Sequence, residues 1–487
     1  MASARTSLSH PLQIASVSPG EGWGKIGITF CPGKKQPGAM TGAWDRDLGL
    51  DVEAIAAWGT STVVTLVEQH ELASLGVVDL GEAVEAAHMS WVHLPLRDVS
   101  VPGPAFEQQW ARLGPLLRAQ LQCGFNIVVH CKGGLGRAGT IASRLLIDAG
   151  MAPADALAAV RVARPGAIET AGQEQYVLDC VPLPSAMPDM STDAVADRAI
   201  GAFLGLAVGD ALGTTLEFTR RDAQPRVTDL IGGGPFGLQP GEWTDDTAMA
   251  LALADSLGAT PMLNEKDLMD RFVDWYRRGT YSCTGRCFDI GGTTRAALTS
   301  YERSGNPVAG ATDLFSAGNG SLMRLAPVAL RYWNDRDRLA DVASRQSATT
   351  HGAAEAVSAC LAFARILADA IEGKTCEEVF APRKLDVAPK VDQVIGGSWR
   401  GKQRRNIRSS GYVIDSLEAA IWCVARTASF ADAVILAANL GDDADTVAAI
   451  TGQLAGALYG VSAIPPAWMG KLAWRERLEA AARALVP

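Results

Sequence analysis

His130-Cys131-Lys132-Gly133-Gly134-Leu135-Gly136-Arg137 places one cysteine six residues before one arginine across a glycine-rich turn. A cysteine thiolate is a nucleophile, and the planar fork of an arginine grips two phosphate oxygens at once. Upstream, Asn126–His130 reads as a short β-branched strand; downstream, Thr140–Gly150 reads as a helix. Strand, glycine turn and helix in that order aim backbone N–H groups and the positive helix end into one concavity. The pattern therefore predicts a phosphate held over the Cys131 sulfur, with Lys132, Gly133, Gly134 and Gly136 forming the cradle. Asp98, on a predicted loop after a strand (LPLRDVSVPG), is the candidate general acid for the leaving oxygen.

A second set of residues lies far downstream. Thr244-Asp245-Asp246-Thr247 is answered by Asp442-Asp443-Ala444-Asp445-Thr446 near the C-terminus. So many carboxylates gathered in one place need compensating charge. Oxygen-only ligands suit Mg²⁺ or Mn²⁺, whereas zinc would want histidine or cysteine. Two divalent cations there would polarise a substrate oxygen and activate water. Cys283 and Cys287 lie four residues apart, but with no third soft ligand nearby they read as reduced core cysteines. His351 reads as a packing or supporting residue. Gly318, Asn319 and Gly320 offer backbone amides at which a pyrophosphate can approach closely. Tyr412 is a candidate to stack on a base.

The elements that must position these residues fall into two regions. At 487 residues the chain exceeds one ordinary core. Residues 26–180 alternate β-type runs, such as Ser61–Leu66, with helical ones, such as Phe106–Gln122, which predicts an α/β layer fold around a largely parallel sheet. Residues 181–195, with three prolines, read as a linker between a domain at 1–180 and one at 196–487. Beyond the linker, alanine, glycine and leucine at helical spacing predict an all-α domain. Within it, residues 399–408 (WRGKQRRNIR) read as a basic, solvated loop.

Composition narrows the function classes. Hydrophobic residues at 48% with 20% charged residues are globular. The net charge of −9 argues against nucleic-acid binding, which needs a basic footprint. No membrane partner is expected, because no apolar run approaches the ~20 residues of a spanning helix. An odd set of nine scattered cysteines and an N-terminus without a signal pattern fit a reducing, cytoplasmic setting.

Two families are resembled. HCKGGLGRAG resembles the signature of the cysteine-dependent dual-specificity phosphatases, and ARPGAIETAGQEQYV resembles the stretch after the catalytic helix in the kinase-associated phosphatase group. That resemblance implies an α/β phosphatase fold that needs no cofactor and acts on a phosphorylated substrate. It also implies a phosphocysteine intermediate on Cys131, phosphate held by Arg137, and Asp98 as acid and then base. One position departs from the family. Where many members carry Ser or Thr after the arginine, to help the thiolate leave, this chain has Ala138, with Thr140 two residues on. Slow turnover, or a module that binds phosphate without releasing it, is the alternative this raises.

GAFLGLAVGDALGTTLEF, WTDDTAM, CFDIGGTT, GNGSLMR and NLGDDADT together resemble the ADP-ribosylhydrolases, in particular the dinitrogenase-reductase-activating glycohydrolase type. The resemblance implies an all-α fold and a two-metal site that cleaves ADP-ribose from a modified protein or small molecule, probable linkage arginine. By motif position it implies Thr244, Asp245, Asp246, Asp443, Asp445 and Thr446 as metal ligands, and Asp289 as a catalytic carboxylate. Glu217, placed after Asp210 at the family's spacing, would position metal or substrate. The expectation is a bifunctional hydrolase.

Overall fold

The computed structural model describes residues 4–39, 42–184, 188–260 and 262–486. The chain divides into two compact units, the first built on Met1–Ser185 and the second on the bulk of residues 186–487.

The first unit is a five-stranded mixed sheet flanked by helices, as the alternation predicted. Its strands lie in the order Ala15–Val17, Ile26–Phe30, Asn126–Cys131, Thr60–Thr65 and Ser90–His93. Only the first pairing is antiparallel; the other three are parallel. Asn126–Cys131 is central, and its Ile127, Val128 and Val129 are fully buried, which is why the run is β-branched without alternation. Cys131 ends this strand in register with Phe30. The helix that follows spans Gly136–Asp148, so it begins four residues earlier than its apolar pattern suggested, inside the glycine-rich turn itself.

All named elements of the second unit are helical, as expected of an all-α domain. Its first helix, Thr192–Gly213, starts within the segment read as a linker, whose residues 185–187 lie outside the described residues. The stretch Thr192–Leu216 is, by length and composition, apolar enough to cross a membrane, contrary to the expectation that no run comes close. It is a core helix instead: 94% of its apolar window is buried. Its partner is Ala444–Tyr459, and the two backbones touch. A Cβ on Gly205 would sit 2.2 Å from the Gly452 carbonyl oxygen, and one on Gly209 would sit 2.1 Å from that of Ala448. Gly201, Gly205, Gly209 and Gly213 recur every four residues and line one face, so the contact continues along the helix.

Gly205→Ala is expected to force these backbones apart at a cost of about 3 kcal/mol, a drop in Tm on the order of 5–10 °C. Gly258→Ala, whose Cβ would meet open space, serves as the control and should leave Tm level or slightly higher. Equal melting of the Gly205 variant and the parent would contradict the close-contact reading.

Candidate functional site

In the first unit the loop after Cys131 folds back over the sulfur. Gly134 donates its amide to Cys131 Sγ at 3.2 Å. Gly134 has φ +71°, and a Cβ there would strike the Thr29–Phe30 backbone at about 2.5 Å, so only glycine closes this turn. Arg137, buried, is held by a partner that sequence reasoning did not single out. Its Nη1 and Nη2 donate to the two carboxylate oxygens of Glu71, at 2.6 and 3.0 Å. Nη1 also donates to the Leu96 carbonyl at 2.8 Å. Burial alone would raise the Glu71 carboxyl, but hydrogen bonds from Arg137 and from the Glu68 amide hold it below its usual range.

Asp98 reaches the same guanidinium, its Oδ1 2.9 Å from Arg137 Nη2, while its side chain remains half exposed. The structure thus brings Cys131, Gly134, Arg137 and Asp98 together. Gly136 donates its amide to Glu169 at 2.8 Å. Gly133 is exposed and Lys132 half-buried. Lys34, also missed, lies behind the loop. Its buried ammonium donates to the Lys132 carbonyl at 3.3 Å and sits over the Phe30 and Trp44 rings, with its pKa pushed down to about 8 by burial. Ala138 is fully buried, and Thr140 donates its hydroxyl to the Gly136 carbonyl at 2.8 Å. That hydroxyl is engaged within its own helix.

The second unit gathers the predicted carboxylates where the two touching helices end. Asp210 and Glu217 come from the end of the first helix and the turn beyond it. Asp443 caps Ala444–Tyr459, and Asp445 sits in its first turn. Oxygens of Asp210, Asp246 and Asp445 lie within 4.8 Å of one another, and so do those of Glu217, Asp443 and Asp445. Asp445 belongs to both groups. Asp210, not among the expected ligands, also orients the Thr244–Thr247 turn by accepting from the amides of Thr244 (2.9 Å) and Thr247 (3.0 Å). The Thr244 hydroxyl donates to Asp210 at 3.0 Å, and that of Thr446 approaches Asp246 at 3.4 Å.

Whether this set fits divalent cations can be judged from its unmet valences. Asp246 Oδ1 is buried with no hydrogen-bond partner among the described residues, and an orphaned carboxylate oxygen in an oxygen-only cluster is suited to a hard cation. Burial first, then mutual repulsion, pushes Asp210 and Asp443 up to about 7 and raises Asp245 and Asp246 well above the carboxylate range.

A cavity of about 860 Å³ opens onto these carboxylates. Glu217, Asp245, Asp289, Asp443, Asp445 and Thr446 line it, and Gly318, Asn319 and Gly320 form part of another wall. Asn319 Nδ2 donates to Asp443 Oδ2 at 2.6 Å, tying that wall to the acidic set. Asp289 is half-buried with φ 57°, and burial beside Asp245 and Asp445 pushes it up to about 11. Left-handed backbone also occurs at Phe218 (φ 59°) and Asp442 (φ 57°), both on the cavity lining. Each such residue costs about 1–3 kcal/mol, and strain of this kind collects at functional sites.

Tyr412 is engaged by its surroundings. It is absent from the cavity lining, and its hydroxyl lies 2.5 Å from Glu355 Oε2 and 2.8 Å from Lys390 Nζ, while its backbone bridges to Gly318. That isolated bridge ties Tyr412 to the Gly318 segment. His351 lines the cavity, buried and neutral, its pKa pushed down to about 3 by burial. Cys283 and Cys287 are half-buried rather than core, with thiols pushed up to about 12 by burial. In the basic loop, Arg404 is paired with Asp222 at 2.7 Å.

Residues 191–487 match the ADP-ribosylglycohydrolase family. The chain belongs to that family. Residues 36–177 match a second description, Swiss Army Knife protein, DSP-PTPase phosphatase domain. An ADP-ribosylarginine hydrolase of Pseudomonas putida (strain GB-1) is 48% identical over 296 residues, covering 61% of this chain and 80% of that protein. An ADP-ribosyl-(dinitrogen reductase) glycohydrolase of Rhodospirillum rubrum is 35% identical over 295 residues, covering 58% and 92%. The solved structure of an ADP-ribosylglycohydrolase-related protein complex is 44% identical with a TM-score of 0.54, covering 60% of this chain and 98% of that one.

Since the folded pKa values of Asp210 and Asp443 lie above those of an unfolded carboxylate, the cation-free fold binds more protons than the unfolded chain. It loses stability as pH rises from the carboxylate range through about 7. A divalent cation that takes the deprotonated set restores that loss. Mn²⁺ should therefore raise Tm more at about pH 8 than at about pH 5.5; an equal rise at both would count against cation binding by these carboxylates.

Proposed function

We infer that the second unit releases ADP-ribose from ADP-ribosylated arginine with the help of two divalent cations, Mg²⁺ or Mn²⁺. The observation that carries this reading is the pair of carboxylate clusters that share Asp445, which lines the cavity together with Glu217 and Asp443. The names of the curated relatives support arginine as the linkage. Thr244, Asp245, Asp246, Asp443, Asp445 and Thr446, with Asp210 and Glu217, are the residues suited to hold the metals. When bound, such a pair of ions offsets the buried charge and polarises substrate oxygen and water.

The chain's own residues do the rest. Gly318, Asn319 and Gly320 shape the wall against which the ADP-ribose would lie, although the Gly318 and Asn319 amides, expected to meet the pyrophosphate, are taken by the Ser316 and Gly411 carbonyls. Burial, and then the charge of Asp245 and Asp445, otherwise keeps Asp289 protonated. With cations offsetting that charge, Asp289 would take a proton from water as the water oxygen bonds to the anomeric carbon and the C–N bond breaks. That proton then ends on the departing guanidine.

For the first unit we propose phosphate monoester hydrolysis. Cys131 attacks phosphorus, Arg137 and the loop amides hold the phosphoryl oxygens, and Asp98 gives a proton to the leaving oxygen and then takes one from water. Glu71 fixes the plane of Arg137. A second reading, a phosphate-binding module that brings the hydrolase to phosphorylated partners, is favoured by Ala138 and by the engaged Thr140 hydroxyl. A reducing, cytoplasmic setting, which would keep the Cys131 thiol available, is proposed with either reading.

The parent is expected to release ADP-ribose from ADP-ribosyl-arginine only with Mg²⁺ or Mn²⁺, and Asp443→Ala to lose roughly a hundredfold or more. No release with either metal would sink the arginine reading. With p-nitrophenyl phosphate, steady phosphate release that vanishes in Cys131→Ser is expected; one equivalent trapped without turnover would move the first unit to the binding role.

A further inference from the structure

Phe218 is a large apolar side chain left 69% exposed at the cavity lining, on a strained left-handed backbone. Neither its burial nor its local propensity accounts for this placement. Two reciprocal backbone hydrogen bonds hold it there: Phe218 N donates to the Asp442 carbonyl at 2.8 Å, and Asp442 N donates to that of Thr219 at 2.7 Å. Asp442 is itself exposed, left-handed and on the cavity lining, and it belongs to neither metal-suited carboxylate group. Behind Phe218, Phe236 packs edge-on at 6.3 Å and Phe288 continues the row at 5.2 Å from Phe236, immediately before Asp289 in the chain.

The fold thus joins, through paired backbone, a residue with an open phenyl ring and a residue with an exposed carboxylate, both on the cavity lining. An ADP-ribosylated arginine has two ends of opposite charge. Its pyrophosphate is repelled by an acidic edge. Its glycosylated guanidinium remains a planar cation, and a planar cation is recognised by an aromatic face together with a carboxylate.

We propose that Phe218 and Asp442 form the subsite for the cationic guanidinium of the modified arginine, and so set the preference for an arginine linkage. The proposal rests on the arginine reading above. Phe218→Leu keeps size and apolarity but removes the π-face; Phe218→Tyr keeps the face; Asp442→Asn keeps a residue that tolerates the left-handed backbone.

With ADP-ribosyl-arginine as substrate, Phe218→Leu and Asp442→Asn should each raise KM about tenfold, with a smaller effect on kcat. Phe218→Tyr should recover most of the loss. Inhibition by free ADP-ribose, which lacks the guanidinium, should stay as in the parent. An unchanged KM in Phe218→Leu overturns the proposal, as does a matching loss of ADP-ribose inhibition, which would place the ring on the other half of the substrate. A parent that binds ADP-ribose yet releases none from arginine overturns the arginine reading itself, and the proposal with it.

Discussion

Asp210 and Asp445 share one site because two helix backbones touch. Glycine every fourth residue on Thr192–Gly213 lets the carbonyl ladder of Ala444–Tyr459 come within contact distance. Any Cβ along that seam would push the helices apart, and with them the carboxylates at their ends. The seam also concentrates charge: carboxylates buried this closely lose solvation and repel one another, which raises their pKa values and makes the set suited to divalent cations. Packing and chemistry therefore answer to the same constraint, and the cavity with its strained Phe218, Asp289 and Asp442 is built around it.

The first unit solves a simpler problem with similar economy. Its central strand delivers Cys131 to the C-terminal end of the sheet's parallel strands, and the helix begins so early that the turn's amides and Arg137 stay within reach of the sulfur. The guanidinium is fixed by Glu71 before any phosphate arrives, which lowers the ordering cost of binding. Asp98 sits on that same guanidinium from an exposed loop, so the proposed acid is already near the place where a leaving group would stand.

Much of this was legible in the sequence. The layer fold, the helical second domain, Cys131 with Arg137 and Asp98, and the two Asp-rich turns follow from spacing, composition and resemblance, since each rests on contiguous residues. What stayed hidden depends on contacts distant in sequence. Glu71 reads as an ordinary helix-start glutamate, which it also is, through its bond to the Glu68 amide. Asp210 sits inside an apolar helix with nothing nearby to mark its partners, Thr244 and Thr247. The Thr192 helix appeared to lie partly in a linker because prolines and small polar residues precede it, and its apolar length was interrupted to the eye by glycines that turn out to be its packing face.

In the proposed two-cation site Asp445 belongs to both carboxylate groups. Calorimetric titration of Mn²⁺ into the metal-free full chain tests this directly, with Asp445→Asn alongside and its fold checked by circular dichroism. Two ions bound by the parent, and neither bound tightly by a folded Asp445→Asn, is the predicted result. A parent that takes up one ion or none, or a variant that keeps both, would contradict it.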